Sequence, residues 1–295
     1  MADEFYHEPV LLNEAIEFLL SNKNTAAAKI YADCTLGGGG YTKKILDETE
    51  ADIKAAALDR DINAIEHCKK ALAEYSGRII YCQNNFADIK EVLSEKGISS
   101  ISGAVMDLGL SSYQLNSEEG FSYQKETELD MRADKSQELK ASDVLNEYPD
   151  KELLKIFRDY GELRYSRQIT HDITEQRRTK KFETTFDLVK LLEKKIPPRF
   201  LNKDLAKVFQ ALRIEVNNEL ENLKQGLEET AQILEKGGTI VVISYHSLED
   251  RIVKNFFRES QELKVLTKKP VLASETEIAL NTRARSAKLR AAEKF

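Results

Sequence analysis

The sequence predicts an α/β fold in which a mostly parallel sheet is covered by helices on both faces and interrupted by an all-helical insert. Two patterns carry that prediction. Short apolar runs alternate with stretches of helical periodicity from Lys29 to Leu108, the pattern of a sheet buried on both sides. The alternation then stops, and between about Gln137 and Arg213 no segment reads as a strand. The expected bounds are 1–136 and 214–295 for the core and 137–213 for the insert, the natural place for substrate recognition.

Taken in order, Lys29 to Leu36 reads as the first strand, followed at once by Gly37-Gly38-Gly39-Gly40. Ile53 to Asp59 is the second, ending in Asp59-Arg60-Asp61. Ile65, Cys68, Leu72 and Tyr75 then share one helical face. Arg78 to Cys82 and Ala104 to Leu108 are the third and fourth strands, with Phe86, Ile89, Val92 and Leu93 marking the helix between them. In the insert, helices are read from Leu153, Leu154, Phe157 and Tyr160, from Leu188, Leu191 and Leu192, and from Leu205, Val208, Phe209 and Leu212. Pro197-Pro198 separates the last two, since proline cannot continue a helix interior. A long helix through Val216, Leu220, Leu223, Leu227 and Leu234 returns the chain to the core and ends at Gly237-Gly238. Thr239 to Ser244 is the fifth strand. Ser247-Leu248-Glu249-Asp250 has the form of a capping box with Ser247 as the cap. Two short strands are placed near Lys264 to Thr267 and Ala287 to Ala292.

Composition narrows the class of protein. Of the 295 residues 41% are hydrophobic and 32% charged, as in globular proteins. No apolar run approaches the roughly 18 to 20 residues that span a bilayer. The acidic start Met1-Ala2-Asp3-Glu4 differs from the basic opening of a secretory signal. Cys34, Cys68 and Cys82 are widely spaced without zinc-like pairing, so a reduced cytoplasm and no metal are expected. The net charge of −6 argues against broad, non-specific nucleic-acid binding, but two basic clusters stand out. They are Arg177, Arg178, Lys180 and Lys181, and Arg283, Arg285, Lys288 and Arg290; each reads as an RNA contact or as a solvated face.

Candidate chemistry gathers at the strand ends. Four glycines directly after the first strand let a ligand lie against bare backbone. Asp59 stands 22 positions after Gly37, where an acidic group accepts hydrogen bonds from the hydroxyls of an adenosine ribose or, alternatively, caps a helix. The pair does not separate S-adenosylmethionine from a dinucleotide. Thr42, however, occupies the position of the third glycine that a dinucleotide fold needs. Asp107-Leu108-Gly109-Leu110-Ser111-Ser112 and Gln114 follow the fourth strand, whose tip faces the cofactor. A carboxylate there complements an amine and a sulfonium, unless Asp107 and Ser111 only cap a turn.

These blocks make the chain resemble the small-subunit ribosomal RNA methyltransferase H family, also called MraW. The resemblance runs from His7-Glu8-Pro9-Val10-Leu11-Leu12 through Asp33-Cys34-Thr35-Leu36-Gly37, Leu58-Asp59-Arg60-Asp61 and the Asp107 to Leu115 block. It continues through Gly120-Phe121-Ser122, Leu129-Asp130-Met131-Arg132, Phe209-Gln210-Ala211-Leu212-Arg213 and Ser244-Tyr245-His246 to Arg251, and closes at Arg283-Ala284-Arg285-Ser286. It implies a class I S-adenosylmethionine-dependent methyltransferase fold, Rossmann-like, with a helical insert. The implied activity is N4-methylation of a cytidine in the decoding region of 16S rRNA, free or in the small subunit. By resemblance, Gly39, Gly40, Tyr41, Asp59, Phe86, Asp107 and Gln114 would hold the cofactor, with Tyr41 where the family commonly has histidine. Asp107 is the expected catalytic acceptor; the Asp- or Ser-Pro-Pro-aromatic motif of other amine methyltransferases is absent here. Ser111, Asp130, Arg132 and His246 are expected to bind substrate, although Asp130 and Arg132 also read as a local salt bridge and His246 as a packed residue beside a cap. The rival readings are an NAD-dependent oxidoreductase and a non-catalytic RNA-binding protein on the same scaffold.

Overall fold

The computed structural model describes residues 9–21, 27–109 and 120–295. Seven strands form one sheet: β1 (Ile30–Asp33), β2 (Lys54–Asp59), β3 (Ile79–Gln83), β4 (Ile101–Asp107), β5 (Leu234–Ser244), β6 (Leu263–Val265) and β7 (Lys288–Lys294). Their order is β3-β2-β1-β4-β5-β7-β6, parallel except for β7, which runs antiparallel to both β5 and β6. The α/β class with a mostly parallel sheet is as predicted.

Why these runs make a two-sided sheet is visible in where alternate residues go. Ala104 and Met106 of β4, with Ile240 and Val242 of β5, enter one apolar cluster; Val105, Val241 and Ile243 enter another on the opposite face. The first cluster is completed by the helices Ile89–Glu95, Glu219–Ile233 and Ser247–Glu259, the second by the helices Leu12–Leu19 and Gly40–Asp47. Parallel strands all present their C-terminal ends at one edge, and there the chain leaves Asp33, Asp59, Asp107 and Ser244.

The chain divides into two compact units, 1–111 with 220–295, and 112–219. The expected insert of 137–213 falls inside the second. That unit carries the helices Ala141–Glu147, Asp150–Lys155, Ser166–Gln176, Thr185–Glu193 and Pro198–Asn217, and one isolated bridge between Glu128 and Thr184. Pro198 is the first residue of its helix, where its missing N–H costs nothing.

Three expectations are corrected. The long helix through Val216 and Leu234 is two: Asn218, left-handed at φ 50°, ends the first, and Glu219–Ile233 follows. Gly237-Gly238 does not end a helix, because Leu234 already belongs to β5; the pairing with β4 instead shifts register between Ile101 and Gly103. The cap of Ser247–Glu259 is His246, one residue earlier than predicted. Its Nδ1 accepts from the Glu249 amide at 3.4 Å, while Glu249 Oε2 accepts from the amides of Tyr245 (2.9 Å) and His246 (3.3 Å). Ser247 is the first helical residue.

Candidate active site

The glycine turn links β1 to the helix Gly40–Asp47. Gly37 and Gly39 have φ of 49° and 80°, a region that L side chains avoid. A Cβ on Gly39 would meet Cys68 Sγ and Leu72 Cδ1 at 3.0 Å, and one on Gly40 would meet Pro9 Cγ at 2.6 Å. A Cβ on Gly37 would touch only the Thr35 carbonyl oxygen, at 3.8 Å. The protein itself thus closes the side-chain positions of Gly39 and Gly40 and leaves only main chain at this turn. The Tyr41 ring is packed inside the protein. It is 3% exposed, and its hydroxyl donates to the Val10 carbonyl. Its amide, like that of Gly40, stands in the first helical turn without an intrahelical acceptor.

Asp59 closes the turn from the neighbouring strand. Its Oδ2 accepts from the Gly37 amide and its Oδ1 from the Asp61 amide, both at 2.9 Å. The next helix is capped instead by Asp61, which accepts from the Asn63 amide at 2.8 Å, so Asp59 is released from that role. An ionised carboxylate has about four lone-pair sites, and two are used here. Two remain for the paired hydroxyls of a ribose. Burial raises the Asp59 pKa, opposed by the two amides. Phe86, in the turn after β3, is half-buried with its ring over Gly226: a Cβ there would lie 2.5 Å from Phe86 Cδ2.

Asp107 ends β4. Its amide donates to Thr35 Oγ1 at 2.7 Å, and its Oδ1 accepts from the Tyr245 hydroxyl at 2.7 Å. Burial pushes its carboxyl up to about 7, against the Tyr245 hydrogen bond and the charge of Arg283, which lower it. Oδ2 takes no hydrogen bond from a described residue. Under the glycine turn Asp33 is completely buried and accepts from Thr42 Oγ1 (2.7 Å), the Thr42 amide (3.1 Å) and the Thr35 amide (3.3 Å); burial raises its pKa to about 6. Sequence reasoning did not single out Tyr245, Asp33 or Arg283 as neighbours of the candidate site. All three lay within the family blocks, and Tyr245 follows the strand that pairs with β4.

Ser111 and Gln114 lie outside the described residues. In the helical unit, described by itself, Arg132 grips Asp130 through Nε (2.7 Å) and Nη2 (3.1 Å), and its Nη1 donates to the carbonyls of Gln137 (2.6 Å) and Lys135 (3.3 Å). Lys135 adds a third cation contact to Asp130, whose pKa falls to about 2. The fork is spent on holding this segment. Arg177 is similarly turned inward, donating to the carbonyls of Leu145 (3.0 Å) and Tyr148 (2.7 Å), whereas Arg178, Lys180 and Lys181 are exposed.

The model of the MraW methylase family matches residues 4–295. The chain belongs to that family. It is a methyltransferase that uses S-adenosylmethionine, and the oxidoreductase and non-catalytic readings fall with that membership. Among its relatives, ribosomal RNA small subunit methyltransferase H of Carboxydothermus hydrogenoformans is 45% identical, over 99% of this chain and 99% of its own. The protein of that name from Clostridioides difficile is 43% identical, over 99% of this chain and 100% of its own. Among solved structures, an rRNA methylase from Streptococcus thermophilus overlaps 90% of this chain and 86% of its own at 11% identity, with a TM-score of 0.42. Among the described residues no helix is long and apolar enough to cross a membrane.

The site's residues fit the cofactor. The open side of Gly37 leaves room for it, and Asp59 keeps two acceptor positions for a ribose. Thr42, where a dinucleotide fold has glycine, is fully buried and fixed to Asp33.

Proposed function

We propose that this chain methylates the N4 amine of a cytidine in the decoding region of 16S rRNA, as free RNA or within the small subunit, in the cytoplasm. The observation that carries this reading is the Asp107 carboxylate, with one oxygen held by Tyr245 and the other without a described partner at the cofactor edge of the sheet. The names of the relatives supply the substrate class.

S-adenosylmethionine, when bound, supplies an electrophilic methyl on a cationic sulfur. The glycine turn and the amides of Gly40 and Tyr41, Asp59, Phe86 and Gln114 would hold it. The cytosine amine is a weak nucleophile because its lone pair is delocalised into the ring, so alignment supplies much of the rate. Asp107 Oδ2 accepts a hydrogen bond from that amine, localising its lone pair, while Tyr245 fixes the carboxylate's rotation. The nitrogen becomes acidic only as it gains the methyl. A carboxyl poised at about 7 is matched to take up the released proton at Oδ2. The base must be unstacked to reach the site, at a cost of a few kcal/mol. His246 supports this edge as the cap of its helix, and Ser111 stands close to Asp107 in sequence. Asp130 and Arg132 shape their own segment and contribute to substrate binding only through it.

The test is to incubate purified, unmethylated small subunits, and separately free 16S rRNA, with the protein and labelled S-adenosylmethionine. N4-methylcytidine at one decoding-region position is expected. A label on a ring carbon or on a ribose would overturn the proposal.

A further inference from the structure

Away from the cofactor edge, the helix Ser247–Glu259 and the β6–β7 edge of the sheet enclose an open recess of about 520 Å3, solvent included. Lys254, Arg258, Lys268 and Arg290 line it with Phe257 and Val265, and no carboxylate does. Lys254, Arg258 and Lys268 are exposed and make no ion pair with a described residue. Arg290 is 6% exposed and held in place by Asp250 at 2.6 Å. Asp250 is itself shared with Lys288 at 3.4 Å, so the acid ion-paired to Arg290 is already neutralised. Phe257 is 2% exposed and Val265 half-buried, giving an apolar floor under a cationic rim.

Three exposed cations with no ion-pair partner among the described residues, beside a fourth that is paired, are a costly arrangement in a chain of net charge −6, because like charges repel unless something answers them. An apolar floor with a basic rim suits a strand that carries phosphates at a fixed spacing and presents sugar faces between them. We infer that this recess is a second RNA-docking site, binding the phosphodiester backbone of the substrate RNA away from the methylated base. At about 1.5 Å per residue, Arg258 lies about 16 Å along its helix from Ser247. That separation assigns the recess to a flanking stretch of RNA rather than to the target nucleotide. The inference rests on the RNA-methyltransferase reading and extends it to a surface outside the catalytic edge.

The test uses the full chain with Lys254→Ala, Arg258→Ala and Lys268→Ala combined, sparing the structural Arg290, beside a control in which Lys254→Arg and Lys268→Arg keep the charge. Binding to unmodified, transcribed 16S rRNA is measured across a salt series, with melting temperature and S-adenosylhomocysteine affinity in parallel. Expected for the alanine variant is about a tenfold loss of RNA affinity at low salt, with the slope of log K against log salt reduced by about 2. Melting temperature and S-adenosylhomocysteine affinity stay unchanged, and the charge-keeping control behaves as wild type. Unchanged affinity and slope in the alanine variant would overturn the site while leaving the RNA reading intact. So would polyglutamate binding that the alanine variant loses while it keeps wild-type RNA affinity and slope, since the recess would then serve an acidic peptide. Wild-type protein that fails to bind RNA at all would overturn the RNA reading and the recess together.

Discussion

The proposed mechanism concentrates the chemistry in one side chain, Asp107. Its carboxyl is lifted to about 7 because burial penalises the charge more than Tyr245 and Arg283 compensate. Two consequences are measurable. Turnover should rise with pH through about 7, since only the ionised form accepts a hydrogen bond from the amine and takes its proton. Asp107→Asn should keep the Tyr245 hydrogen bond but lower kcat about 100-fold and abolish that pH dependence, with a much smaller change in S-adenosylmethionine affinity. Single-turnover rates and cofactor titrations on the same preparations separate the two effects. If affinity collapses in step with rate, Asp107 serves the cofactor alone.

At the scale of elements, the helix Glu219–Ile233 sets the position of Phe86 by packing against it in the same apolar cluster. Alanine ordinarily favours a helix over glycine by about 1 kcal/mol. At Gly226 a Cβ would lie 2.5 Å from the Phe86 ring and 3.2 Å from its carbonyl oxygen, so the ring must move. Gly226→Ala should therefore leave the protein folded yet weaken S-adenosylmethionine binding about tenfold, the worth of one displaced aromatic contact. Isothermal titration with circular dichroism checks both halves. Wild-type affinity in the folded variant would remove the Phe86 ring from the cofactor site. Arg177 teaches a related lesson: it reads as part of a basic surface cluster, yet it holds the carbonyls at the end of a neighbouring helix. Arg178 and Lys180 stay exposed but pair with Glu175 and Asp187, and Lys181 is exposed.

For the whole molecule, buried carboxylates shift stability with pH in opposite directions. Asp33 and Asp107, at about 6 and about 7 when folded, retain protons that the unfolded chain has already lost above its ordinary value of 3.8. Their contribution to stability therefore falls as pH rises from about 4 to about 7. Asp130 and Asp187, held at about 2 by Arg132 and Lys135 and by Lys180, contribute stability that is present above 3.8 and lost as pH falls toward 2. The melting temperature of the ligand-free protein is measured against that of Asp107→Asn across this range. The difference, wild type minus variant, should decline steadily from about pH 4 to about pH 7. A constant difference would mean that folding does not perturb this carboxyl.

What the sequence by itself determined was the α/β class and the helical stretch between the two halves of the core, and it singled out the three positions on which the proposed chemistry turns: the glycine run, Asp59 and Asp107. Each is encoded locally, because a strand's end, a run without side chains and an acidic residue at a set spacing are legible without knowing what packs against them. Tertiary structure decided their partners. Tyr245 reaches Asp107 across 138 residues because β4 and β5 pair with Asp107 opposite Ile243. Asp33 works beneath the turn because the helix after the glycines brings Thr42 back over it. The fate of Arg177 could not be read either, since an arginine's charge is written in the chain but the carbonyls that consume it are set by packing. The helix break at Asn218 escaped for the same reason: apolar periodicity continues across it, and only a left-handed backbone angle divides it.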